Sequence, residues 1–351
     1  MRSVIAGTGM YLPPTVVSND RLARIMDTSD EWIQQRSGIR ARRLAEETVA
    51  TSDLAEPAAR MAIERAGLEV DDIDYVVFAT MTPDHFFPGS GPLLQQKLGM
   101  KRTPCLDIRQ QCAGFVYGLQ VADAMIRCGQ YANVLLVGAE VHSSLMPWEC
   151  WDIVLGRSDR EIPREEYDRY TSTRDRTVLF GDGAGACVVR AGEGDERGVL
   201  DVLLYTDGAY WDRLWTNAGG SAYRPYFRPE MTASGDAVPI VEGREVFRLA
   251  VTLMPEVTLE ILRRNGLMLD DVRLVIMHQA NLRINESVQK RLGLPDDRVF
   301  NNIHEYGNTT AATIPIAFHE ARAQGRVADG DLVCFVGLGS GLNWGAVLYR
   351  C

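Results

Sequence analysis

Three residues in this chain could carry nucleophilic chemistry together, a thiol, an imidazole and an amide: Cys112 in LDIRQQCAGFVYGLQ, His278 in HQANLRIN, and Asn308 in YGNTTAATIP. The cysteine is the informative one. Cys105 to Ile108 alternates like a buried strand, and Phe115, Leu119, Ala122 and Ile126 follow at helical spacing. That pattern predicts the thiol in the first turn of a helix, where unpaired backbone N–H groups and the helix dipole favour a thiolate nucleophile. A buried structural cysteine is the commoner fate of the residue, and position alone leaves both readings open.

Composition narrows the class. The 351 residues are 46% hydrophobic, enough for a sizeable core and two domain-sized units. A formal net charge of −10 argues against a nucleic-acid partner, which usually meets a basic surface. The opening MRSVIAGTGMYLP has no long apolar core or cleavage site, so no signal peptide is expected. GTGMYLP also lacks the third glycine of a dinucleotide-binding turn. No run reaches the roughly 18 apolar residues of a membrane span, so no membrane partner is expected. The seven cysteines include no CxxC pair, which suits a reducing cytoplasm. His85, His142, His278, His304 and His319 form no HExxH or Cys/His cluster, so no metal is expected.

The elements that must position the three residues show a duplication. RAGLEVDDIDYVVFAT (65–80) matches RNGLMLDDVRLVIMHQ (264–279): a helix end, a glycine at the C-cap, a paired-Asp turn, then a strand. QKLGM (96–100) matches KRLGL (290–294), and GQYANVLLVGAE (129–140) matches GRVADGDLVCFVGLG (325–339). GDGAGACVVRA and GLNWGAVLYRC close the two halves. A long period seen twice indicates a duplicated domain. Strands that are apolar throughout, such as Tyr75 to Thr80 and Leu332 to Val336, need helices on both sheet faces. The expected architecture is therefore α/β, two similar halves over 1–190 and 191–351, layered α-β-α-β-α. Cys112 and the GNTTAA segment then occupy matching strand-to-helix junctions and His278 a strand end, where open α/β sheets collect their chemistry.

QCAGF, HQANLRIN and YGNTTAATIP, in that order, resemble the Cys-His-Asn set of the thiolase-fold condensing enzymes, most of all the beta-ketoacyl-[acyl-carrier-protein] synthase III family. TSDEWIQQRSGI, FGDGAGA, EGREVFRLAV and the glycine loop GLGSGLNWG extend the resemblance over nearly the whole chain. It implies a homodimeric cytoplasmic acyltransferase that uses CoA thioesters as substrates and holds no permanent cofactor. Acyl-CoA would acylate Cys112. His278 and Asn308 would bind the carbonyl of a malonyl thioester, carried by acyl carrier protein, as it loses CO₂ and condenses. The backbone N–H groups of Cys112 and the Ser340–Gly341 loop would form an oxyanion hole, with Ser340 standing where the family usually has glycine. The resemblance also places Trp32, Arg36, Arg174, Gly243 and Asn281 at CoA. It places Phe87 and Phe247 at the acyl pocket, Phe87 reaching in from the partner subunit. Arg244, Arg248 and Arg283 would dock the acidic carrier, although a solvated basic face explains such arginines equally well.

Two segments depart from the simple family pattern: 143–176, with Trp148, Trp151 and Leu155 in a short amphipathic stripe, and 208–236, rich in aromatic residues. Both are expected to reshape the mouth of the acyl or CoA tunnel, with self-packed surface loops the alternative. They keep open a second function, transfer of the Cys-bound acyl group to an alcohol, amine or other non-malonyl acceptor. Head-to-head condensation of two acyl chains ranks lower. Relatives doing it present a partner glutamate where this chain reads HFFP. A papain-like protease signature is missing around the cysteine, and a non-enzymatic subunit would be expected to have lost one of the three residues.

Overall fold

Alternation along the apolar strands decides the layering. The computed structural model describes residues 2–194 and 196–351. The first half supplies strands β1 (Ser3–Tyr11), β2 (Tyr75–Ala79), β3 (Cys105–Ile108), β4 (Asn133–Glu140) and β5 (Gly183–Ala191). The second supplies β6 (Gly198–Thr206), β7 (Leu274–Met277), β8 (Leu332–Gly339) and β9 (Asn343–Arg350). Six helices matter for the site: α1 (Asp30–Ser37), α2 (Thr51–Arg65), α3 (Gly114–Arg127), α4 (Gly243–Arg264), α5 (Leu282–Leu292) and α6 (Thr313–Ala323).

On β2 and β4, Val77, Val134 and Leu136 face a central core, while Val76, Phe78, Leu135 and Val137 face an outer one containing α2. On β7 and β8, Leu274, Ile276, Val333 and Phe335 face the same central core, and Val275, Met277, Cys334 and Val336 face α4 and α5. The central core is filled by α3 and α6, so the layers run α-β-α-β-α. Successive strand residues point to opposite faces, which is why every position of such a strand is apolar. Phe335 ties the middle layer together, meeting Phe115 of α3 and Phe318 of α6 edge-on at 5.6 and 5.0 Å. Such pairs add about 0.5–1.5 kcal/mol each beyond the area they bury.

The sheets repeat one topology. The first runs β1-β5-β4-β2-β3 and the second, read from the matching edge, β6-β9-β8-β7. In both, the last pairing is parallel and the first two antiparallel. A register shift recurs in the β1–β5 and β6–β9 pairs. The halves differ at the far edge: opposite β3 the second half has a single parallel bridge, Val275 to Val299. The expected strand before GNTTAA is therefore absent. The first half ends with β5 at Ala191 and the second begins with β6 at Gly198.

Close backbone approach explains the glycines of β1. A Cβ on Gly9 would lie 2.1 Å from the carbonyl oxygen of Ala58, so α2 can rest its alanine face on the strand only if that side chain is missing.

Candidate active site

The nucleophile is presented by a strained turn, and the second half carries its twin. After β3 the chain makes a 3-10 turn, Gln111–Ala113, before α3 begins at Gly114. The matching turn, Thr310–Ala312, precedes α6. Gln111 and Thr310 both take left-handed backbone angles, φ +44° and +47°, which are costly for residues with a Cβ. Each turn rests on the central strand of the opposite half. A Cβ on Gly339 of β8 would sit 2.9 Å from the backbone nitrogens of Cys112 and Ala113, and one on Gly138 of β4 would sit 2.4 Å from the carbonyl oxygen of Ala311. This crossing carries a first-half cysteine into contact with second-half groups. His278 follows β7, its N–H donating to Val336 O at 2.8 Å. Asn308 is held by Leu179 O and Gly181 N on either side of Phe180.

Cys112, His278, Asn308 and Ser340 line one cavity of about 490 Å³. Its electrostatics correct the expectation for the thiol. Burial first and the charge of Glu140 second push Cys112 up to about 12, against the lowering effect of its own backbone N–H. Cys112 also precedes the α-helix instead of occupying its first turn, so the helix end does not outweigh desolvation. The resting group is a neutral thiol. Glu140 is fully buried and accepts from the hydroxyls of Thr80 and Thr82, at 3.0 and 2.6 Å, and from the N–H groups of Met81 and Thr82. Burial raises its pKa above the ordinary carboxylate value.

Burial lowers His278 to about 3, so its ring is neutral. Nδ1 lies 2.7 Å from Thr313 Oγ1, and Nε2 is buried without a protein partner among the described residues. Thr313 also faces Thr310 O at 3.0 Å, so its single hydroxyl proton has two acceptors. Donated to Nδ1, it leaves Nε2 carrying the ring proton towards the cavity; donated to Thr310 O, it leaves Nε2 a bare lone pair. The shorter contact is the one to histidine. The Asn308 carboxamide oxygen accepts from Thr310 N at 2.8 Å, which turns its NH₂ away from that turn, and this NH₂ donates to no protein group among the described residues.

Similarity to known proteins agrees with this geometry. The sequence profile of 3-Oxoacyl-[acyl-carrier-protein (ACP)] synthase III matches residues 106–159 and 165–208, and the profile of its C-terminal part matches 262–351. Beta-ketoacyl-[acyl-carrier-protein] synthase III of Rhizorhabdus wittichii is 41% identical over 99% of both chains. The chain belongs to this family. It is a condensing acyltransferase with the thiolase-like fold. The enzyme of Oceanobacillus iheyensis is 42% identical, covering 99% of this chain and 98% of its own. Among solved structures, 3-oxoacyl-[acyl-carrier-protein] synthase III of Aquifex aeolicus superposes with a TM-score of 0.83 at 39% identity, over 99% of this chain and 100% of that one. The priming beta-ketosynthase of the R1128 polyketide pathway gives 0.83 at 30% identity, over 99% and 96%.

The other candidate residues of this family member divide into those on the cavity and those away from it. Arg36, Gly243, Phe247 and Asn281 line it. Asn281 is also the N-cap of α5, its oxygen accepting from Arg283 N at 2.9 Å and its nitrogen donating to Arg36 O at 3.0 Å. Trp32 is half-buried and off the cavity wall, and its ring carries the guanidinium groups of Arg36 at 4.1 Å, itself on the wall, and Arg174 at 5.0 Å. Arg174 is paired with Asp27 at 2.6 Å. Phe87 is 83% exposed and is not part of the cavity wall of its own chain. Gly341 lies behind Ser340, at φ +133°. Arg244, Arg248 and Arg283 are exposed, but Glu245 holds Arg248 at 2.6 Å, so the expected trio of basic charges is partly neutralised.

Of the two long segments, 208–236 reaches the cavity through Leu214, Trp215 and Thr216, with Leu214–Trp215 paired to Ile240–Val241. The Ser340 hydroxyl donates to Leu214 O, so the two departures from the family pattern touch each other. Segment 143–176 reaches it through Asp175 and Arg176 alone, and its Trp148, Ile153 and Leu155 are buried against Ile25, Met26 and Ile33. Sequence reading missed Glu140 and His142. Glu140 is the last residue of β4 and His142 opens the turn that follows, a position at the carboxyl end of an apolar strand like that of His278.

Proposed function

We propose that this enzyme loads an acyl group from acyl-CoA onto Cys112 and condenses it with a malonyl thioester held on acyl carrier protein. The observation that carries the reading is the shared cavity of Cys112, His278, Asn308 and Ser340, drawn from opposite halves of the fold. In the first step the sulfur of Cys112 bonds to the acyl carbon, the carbon–sulfur bond to CoA breaks, and the thiol proton leaves with CoA. A thiol at about 12 is not a resting thiolate, so proton loss accompanies attack. The N–H groups of Cys112 and Ser340 take the oxyanion.

In the second step the malonyl carboxylate departs as CO₂, and its bonding electrons form an enolate. That oxygen meets Nε2–H of His278 and the Asn308 carboxamide, and the enolate carbon then displaces Cys112 from the acyl carbon as a thiolate, which takes a proton from solvent to return to the neutral thiol. Removing one preorganised donor of this kind costs about 3 kcal/mol. Neutral His278 donates without carrying charge into an apolar cavity. Trp32, Arg36 and Arg174 mark the CoA end, and exposed Arg244 and Arg283 beside α4 and α5 offer a carrier-docking face. A homodimer formed along edge strand β3 would cover exposed Phe87.

Acyl transfer to a non-malonyl acceptor is the second reading, supported by the reshaped wall at Leu214 and Trp215. Intact-mass measurement with a panel of acyl-CoAs, followed by CO₂ release from malonyl donors, tests both. Cys112→Ala should gain no acyl mass. An acyl-enzyme that turns over without releasing CO₂ would select the second reading.

A further inference from the structure

His142 is the buried titratable group that the condensation does not use. It opens the turn after β4, is 0% exposed, and lies face to face with Phe180 at 3.5 Å and 6°. Its backbone is locked, because Asp182 accepts from both the N–H and the hydroxyl of Ser143 at 2.9 and 2.6 Å. Both ring nitrogens are buried, and among the described residues neither has a hydrogen-bond partner from another residue. The ring forms part of the wall that also holds Cys112, Met81 and Phe180.

A purely structural buried histidine in the same molecule looks different. His319 satisfies both nitrogens, one with Thr8 Oγ1 at 3.1 Å and the other with Arg65 at 2.9 Å. The unmet nitrogen of His278 provides the closer parallel. It too lines the cavity, and in the proposed reaction the substrate completes it. A buried neutral imidazole offers one donor and one acceptor, and leaving both unmet is unfavourable unless a ligand supplies the partner.

We propose that His142 is a specificity-determining residue and that the acyl group delivered to Cys112 bears an uncharged hydrogen-bonding substituent, a hydroxyl group, where a plain hydrocarbon chain would leave the imidazole unpaired. A hydroxyl both donates and accepts, so it matches either ring nitrogen in either tautomer. The apolar surroundings from Met81, Leu179 and Phe180 suit the rest of a short chain and disfavour a charged group. The inference rests on the acyl-cysteine reading above.

The test is the rate of Cys112 acylation, followed by intact mass, from hexanoyl-CoA and from hydroxyhexanoyl-CoAs with the hydroxyl moved along the chain. For at least one isomer the wild-type enzyme should favour the hydroxylated substrate by roughly tenfold or more, the scale set by leaving one buried polar group unmet. His142→Leu should abolish or invert that ratio, and His142→Gln, which keeps a donor and an acceptor, should retain part of it. Both rates are read on one preparation, so the ratio is insensitive to the folded yield. Equal rates for every isomer in the wild type, or an unchanged ratio in His142→Leu, would overturn the inference while leaving the acyl-enzyme standing. Failure of any acyl-CoA to load Cys112 would remove both.

Discussion

Thr313→Val tests whether the site works through one tautomer of His278. Valine has nearly the shape of threonine, so the change deletes a hydroxyl at a buried position without opening a large void. The hydroxyl is 2.7 Å from Nδ1, and its loss leaves that nitrogen unpaired in a fully buried ring. An unmet buried polar group costs about 1–3 kcal/mol, and part of that cost disappears if the ring turns or changes tautomer. Either movement withdraws the Nε2 proton from the enolate, a loss on the scale of about 3 kcal/mol, or roughly two powers of ten in rate. In the proposed mechanism Cys112 takes its acyl group without His278, so acylation should fall by no more than about threefold, within ordinary context effects. The assay is CO₂ release from malonyl thioester set beside acyl-enzyme formation by mass, with Thr313→Ser as the rescue. Equal losses in both half-reactions, or full decarboxylation in Thr313→Val, would show that the threonine merely packs and that the hydroxyl does not position the imidazole.

Other substitutions separate the parts of the site. Gly339→Ala puts a methyl group 2.9 Å from the backbone of Cys112 and Ala113, so it should cost about 1–3 kcal/mol in thermal unfolding and displace the nucleophile. Ser340→Ala cuts the link to Leu214 O; it should cost about 0.5–1.5 kcal/mol and speed proteolytic nicking between 216 and 239, while Ser340→Gly should do the same. Because burial holds Cys112 at about 12, its alkylation by iodoacetamide should stay slower than that of exposed Cys128 throughout the neutral range and rise only towards strongly alkaline pH. His142 and His278 are held at about 3, below the ordinary 6.5, so the unfolded chain binds their protons first as pH falls. Their stabilisation is complete above the unfolded pKa and lost between about 6.5 and 3, with a slope of about 1.4 kcal/mol per pH unit for each ring. His319, held at about 4, adds a third such ring, so denaturant midpoints between pH 7 and 4 should show the loss and His142→Leu should remove about a third of the slope.

Legibility in the sequence followed the range of the interactions. The duplicated strands could be read because period-2 burial on both faces forces uninterrupted apolar runs, as in Val76 to Ala79 and Leu332 to Val336. Cys112 could be found because a strand and a helix flank it locally. Its protonation state could not, because the groups that desolvate it arrive from Gly339 and the opposite half. The missing fifth strand of the second half is likewise a pairing matter: a bridge at Val299 and a paired strand such as β3 look alike until the partner is known. His142 was hidden for a different reason. A lone histidine after a strand has no periodic signature, and its unmet nitrogens exist only once Phe180 and Asp182 have fixed the ring.

Duplication supplies the frame, and the chemistry comes from breaking it. The two left-handed turns begin three residues before α3 and α6 alike, and each rests on a glycine-bearing strand of the other half. Yet Cys112 in one turn corresponds to Ala311 in the other, and Asn308 precedes the second turn where Arg109 precedes the first. Ala311 is buried and lies off the cavity, while Cys112 in the first turn presents its sulfur to it. The reacting groups therefore need no symmetry between themselves; they need only that the crossing hold the two turns in register. On that argument Gly138→Ala, which adds a methyl group against Ala311 O at 2.4 Å and touches no reacting atom, should impair decarboxylation by shifting Asn308 and Thr313. Wild-type rates of both half-reactions in a folded Gly138→Ala protein would mean that the crossing does not control the register.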